Sequence, residues 1–218
     1  MIPHEYEKLA EDLAVIRAAI EKSNGIFRFL RLSRAMGLVG LWSGLGIVVL
    51  SLVLYAIEVA YGGLTAAPTL VRGLLYGVAG LFVVAVAVGK IMLVMAHARK
   101  SYRDFTVLRL IGEVYTPQTL PILIPCAIAV SGVLTFLVSR ELGAYIAPAM
   151  SILLGLLFLA FHNVFFLKSM LYSGAWMICS GVPLLFLAES THAALGVAAT
   201  FGLGFVALYV GDRIGDRT

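Results

Sequence analysis

A chain of 218 residues that is 61% hydrophobic and only 13% charged lies far from the soluble average, in which about a quarter of residues carry charge. That composition excludes a soluble enzyme and points to an integral membrane protein. The net charge of +4 comes from cations gathered beside apolar runs, the positive-inside pattern, so no nucleic-acid partner is expected.

Residues 3–23 read as a cytosolic amphipathic helix. Tyr6, Leu9, Leu13, Ile16 and Ile20 recur at spacings of 3, 4, 3 and 4, which sets them on one stripe. Pro3 suits a first turn, Glu5 and Glu7 sit at the positive end of the helix dipole, and Asn24-Gly25 offers a left-handed stop. A helix this short is marginal alone and must bury its stripe on a second copy, on another cytosolic segment or on lipid. Acids and bases run through the segment, so it is not a cleavable signal peptide, and the first apolar span is expected to act as an uncleaved anchor. Next, Arg28, Arg31 and Arg34 alternate with Phe27, Phe29 and Leu30, a spacing that lets guanidinium groups reach phosphate headgroups while the aromatics enter the interface.

Six apolar runs follow, over about 36–60, 73–96, 121–139, 142–167, 169–188 and 190–210. A bilayer core takes about 20 helical residues, so each is long enough to cross. The expected fold is therefore all-α: a polytopic bundle of six transmembrane helices plus the N-terminal helix. Its units are an interfacial segment 1–35, a two-span unit 36–97, a basic cytosolic segment 98–119 and a four-span unit 120–218. Between the last four runs lie only Arg140-Glu141, Lys168 and Glu189, and such short junctions force an up-and-down arrangement. With the N-terminus inside, thirteen of the sixteen cations fall on the inner side, Arg72 and Arg140 fall outside, and Lys90 lies within a span. The asymmetry predicts an N-in, C-in protein of a cytoplasmic membrane. Arg99, Lys100 and Arg103 in the basic segment add headgroup contacts, and the apolar series Tyr102, Phe105, Leu108 and Ile111 makes that segment a dock for the N-terminal stripe or for a partner.

Small residues mark expected packing faces: Gly40 and Gly44 in the first span, Gly73 and Gly77 in the second, and Ala194, Ala198 and Gly202 in the sixth. Pro125, Pro148 and Pro183 lie in or at the edge of spans, with no matched pair of helix breaks of the kind that marks inverted-repeat transporters. Cys126 and Cys179 stand alone in apolar runs and suggest neither a disulfide nor a zinc site.

Few residues could carry chemistry. Lys90 either snorkels to headgroups or serves an interior role, and it lies at a depth comparable with His162 and Asn163, so the three can form an intramembrane polar cluster. The alternative for His162 and Asn163 is plain interhelical hydrogen bonding. Glu58, the one carboxylate placed in a span, has Arg72 across a short loop as its expected charge partner. No phosphate loop, HExxH or GxSxG is present, so no catalytic residue, metal or cofactor is expected. A non-enzymatic accessory, regulatory or scaffold subunit is the leading expectation, with lipid and a second copy or cytosolic protein as partners. A small transporter using Lys90, His162 and Asn163 is the alternative, and a haem subunit ligated by His97 and His162 is a second one.

The succession EDLAVIRAAIEKS, FRFLRLSRA and MGLVGLWSGLG, with Asp12, Leu13, Ile16, Arg17 and Glu21 as its sharpest residues, resembles a group of uncharacterised bacterial six-span membrane proteins. The resemblance implies architecture and bacterial origin, and no activity.

Overall fold

The computed structural model describes residues 37–101, 119–165 and 167–215. The expected N-terminal helix, its stripe Tyr6, Leu9, Leu13, Ile16 and Ile20, the arginines 28, 31 and 34, and the basic segment beyond residue 101 with Arg103 lie outside the described residues. So do the side chains of His97, Arg99 and Lys100. Every described element is helical, and six helices are long and apolar enough to cross a membrane.

We number them α1 (Gly37–Tyr61), α2 (Thr69–Ser101), α3 (Leu120–Ser139), α4 (Ile146–Phe165) and α5 (Lys168–Phe186), with α6 made of three consecutive pieces. Those pieces are an α-helical start Ala193–Val197, a π turn Ala198–Gly202 and an α-helical end Leu203–Gly215. The apolar runs thus became helices close to the expected limits. The main differences are at α2, which begins four residues early at Thr69 and continues to Ser101, beyond the apolar stretch that closes at Leu93.

Local sequence explains the stops. Gly62, at φ 73°, turns the chain out of α1 in the left-handed region that glycine enters freely. At the end of α3 the same position is filled by Glu141, at φ 58°. The Leu142 amide bonds the Leu137 carbonyl at 2.9 Å and the Glu141 amide bonds that of Val138 at 3.1 Å, a Schellman closure made without glycine.

The helices are not equivalent. α4, α5 and α6 form the tight centre, α1 lies against α6, α2 lies against α1, and α3 lies against α4. Glycines make the central contacts possible. A Cβ added to Gly155 on α4 would stand 2.8 Å from the Gly174 carbonyl oxygen on α5, and one on Gly174 would stand 2.7 Å from the Gly155 carbonyl oxygen. The backbones therefore touch, which in lipid supplies the van der Waals contact that replaces a hydrophobic drive. Gly40 and Gly44 play the expected part in α1: a Cβ on Gly44 would lie 2.6 Å from the Gly202 carbonyl oxygen of α6. Ala194, Ala198 and Gly202 of α6 are buried, as a packing ladder should be. Gly73 and Gly77 of α2 differ, since a Cβ on either meets nothing within 4 Å. Cys179 is exposed and Cys126 half-buried, so neither belongs to the packed centre.

Two outcomes follow for folding. Gly44→Ala forces α1 off α6 and should cost on the order of 1–3 kcal/mol, whereas Gly73→Ala should stay within about 0.5 kcal/mol, both read from unfolding in mixed micelles. Glu141→Gly relieves the left-handed residue and should raise stability by about 1 kcal/mol in the same assay; a loss would contradict this account of the turn.

Candidate functional site

In a span, any backbone carbonyl displaced from the helix ladder needs a donor from protein, because lipid offers none. α6 departs from that ladder at its π turn, and three side chains donate to carbonyls in and beside it. The Ser173 hydroxyl of α5 donates to the Gly204 carbonyl at 2.7 Å, the Trp176 indole N–H donates to the Ala199 carbonyl at 2.9 Å, and Thr200 donates back to Gly196 at 2.8 Å. On the other side of α5, Ser151 of α4 donates to the Met177 carbonyl at 2.8 Å. Ser151, Ser173 and Thr200 are fully buried, as is Met177, whose side chain lies against Gly204. The seam through α4, α5 and α6 is thus a chain of donors each spent on a carbonyl. A serine that donates its proton to a carbonyl, with no base beside it, is a structural tie rather than a nucleophile.

A second polar group lies at the end of the bundle where α1 stops and α6 starts. His192 Nδ1 stands 3.7 Å from Glu58 Oε2, and the His192 ring meets Tyr55 edge to face, with centroids 5.0 Å apart. Beside them the Tyr145 hydroxyl donates to Glu189 Oε1 at 3.0 Å. The expected Glu58–Arg72 pair is corrected by this arrangement. Because α2 starts at Thr69, Arg72 falls in its first turn, where Nη2 donates to Thr69 Oγ1 at 3.4 Å and Nε is buried without a hydrogen-bond partner. The Glu58–His192 contact is half open to solvent, and exposed pairs of this kind contribute about 0–1 kcal/mol.

The expected Lys90, His162 and Asn163 cluster is not joined by any hydrogen bond or ion pair. Lys90 is exposed on α2. His162, on α4, places Nδ1 3.0 Å from the Leu167 carbonyl at the close of its own helix, and Asn163 is exposed. His162 is therefore engaged locally, through the junction that leads into α5. Among the described residues no group of three His, Cys, Asp or Glu side chains could hold a metal ion.

Sequence reasoning passed over Ser151, Ser173, Trp176 and Thr200, although hydroxyl residues at helical spacing inside apolar runs are a usable sign of interhelical bonding. It also missed His192 as the neighbour of Glu58, since nothing in sequence links positions so far apart. No protein-family model, curated protein or solved structure matches this chain.

Ser173→Ala should lower stability by about 0.6–1.7 kcal/mol by removing the interhelical bond to the Gly204 carbonyl. Ser180→Ala should leave stability unchanged, because Ser180 donates only within its own helix, to Trp176 at 2.7 Å. Equal unfolding midpoints for the two variants would contradict the seam.

Proposed function

We propose that the protein is a non-enzymatic accessory or scaffold subunit of a bacterial cytoplasmic membrane, N-in and C-in, which assembles with a second copy or a partner protein. The observation that carries this reading is the division of its glycines. Those of α1, α4, α5 and α6 are filled by neighbouring helices, whereas Gly73, Gly77 and Gly80 of α2 open onto empty space. At 100° per residue these three share one side of α2, roughly opposite the side that meets α1. A face built for close helix approach and left unfilled in the chain suits a helix supplied from outside.

The central donors support the non-enzymatic part, since the buried hydroxyls are already committed to carbonyls. The orientation is supported by Lys168 and Arg213 at one end of the bundle against Arg72 and Arg140 at the other. The cytosolic helix 3–23 and the segment after Ser101, which α2 leads into directly, supply further contacts in this reading. A transport role would have to rest on Lys90 without His162 and Asn163.

In mild detergent the wild-type protein should migrate as an assembly larger than one 23.4 kDa chain with its micelle. Gly77→Leu, or removal of residues 1–23, should reduce it to single chains in which the six spans remain protease-protected. A wild-type protein that is a lone chain, or an assembly indifferent to both changes, would overturn the proposal.

A further inference from the structure

Between α1 and α2 runs an open apolar groove of about 700 Å³, walled by Trp42, Leu45 and Val49 on one side and by Val78, Phe82 and Leu93 on the other. At its floor the Phe82 ring lies against Gly46. The lining residues occupy only 38–50 of α1, a helix that runs to Tyr61, and 78–93 of α2, whose apolar window begins at Thr69. At 1.5 Å per residue the groove is roughly 18–22 Å long. The apolar depth of one leaflet is about 15 Å, half of a 30 Å core. The groove therefore spans one leaflet and reaches about 3–7 Å past the bilayer midplane, well short of a full crossing.

That length discriminates between occupants. A helix from a partner crosses the whole bilayer and needs a face that runs its full length, whereas an acyl chain enters from one surface and stops at the midplane. The surface end of the groove has the matching polar feature. Lys90 follows the lining Gly89 and precedes the lining Leu93 by three residues; it is exposed, and among the described residues it makes no hydrogen bond or ion pair. It is the sole charged residue between 37 and 57 or between 73 and 96, so no carboxylate on α1 or α2 neutralises it in this leaflet. Trp42, 70% exposed, stands near the same end, at a depth where indole rings favour the headgroup boundary.

We propose that the groove retains one anionic glycerophospholipid from the leaflet on the Lys90 side, with an acyl chain along Leu45, Val49 and Phe82 and its phosphate against the Lys90 ammonium. Burial of the chain in a wall of side chains supplies retention, and the Lys90 ammonium supplies preference for an anionic head. Lys90 is thereby explained as a snorkelling cation with a ligand, rather than as a member of an interior cluster.

The test is native mass spectrometry of the full-length protein released from micelles doped with equimolar phosphatidylglycerol and phosphatidylcholine. Wild-type chains should carry one phosphatidylglycerol in clear excess over phosphatidylcholine. Lys90→Gln should cut that excess about fivefold, the equivalent of about 1 kcal/mol for one cation at an anionic surface. Ala85→Phe, which puts a ring into the groove from an exposed position, should abolish retention of both lipids while leaving the unfolding midpoint unchanged. Equal retention of the two lipids by the wild type, or the same phosphatidylglycerol adduct on all three proteins, would overturn the proposal. A lipid-free dimer that Ala85→Phe dissociates would also overturn it, by assigning the groove to a second copy.

Discussion

The hydrogen bonds that α5 makes to the backbone of α6 are the tie on which the rest of this bundle depends. Hydrocarbon gives a carbonyl nothing to bond, so a helix that departs from the α ladder must be met by a neighbour in fixed register. Ser173 and Trp176 lie three residues apart on α5 and meet α6 at Gly204, just past its π turn, and at Ala199, inside it. They fix α6 in rotation as well as in height. Once that pair is set, Gly202 presents its carbonyl to Gly44, and α1 is seated in turn.

Polar ties and glycine contacts divide the work between them. Glycines let backbones approach, and they act wherever a small residue happens to face another helix. The hydroxyls act at one address each, because a donor reaches only one carbonyl. Ser151 on Met177 and Ser173 on Gly204 therefore select a single register from among the several that Gly155, Gly174 and Gly44 would tolerate. Loss of contact specificity is the usual hazard of a bundle made from small and aliphatic residues, and here a few buried hydroxyls remove it.

Much of this was legible in the sequence, for reasons that can be named. The six spans follow from hydropathy because a helix is the one open-ended structure that can satisfy its backbone in lipid. The role of Gly40 and Gly44 followed from spacing, yet the identical spacing of Gly73 and Gly77 led to an unfilled face, since a pattern on one helix says nothing of what stands opposite. The π turn was invisible: no proline marks it, and Ala198–Gly202 reads as ordinary helix. Glu58 was assigned to the nearest cation along the chain, whereas the closing of α1 on α6 brought it His192 instead. Lys90, His162 and Asn163 were grouped by depth alone, and depth does not specify which side of a helix a residue takes.

The length of α2 has a mechanical meaning. It is an unbroken helix of 33 residues without an internal proline, about 50 Å from end to end, and it meets α1 where Phe82 rests on Gly46. A helix of that length exceeds the roughly 30 Å apolar core of a bilayer by about 20 Å. The surplus carries the helix, without an internal break, from the apolar window that closes at Leu93 out to Ser101, so the polar end and the part of α2 beside α1 belong to one continuous element.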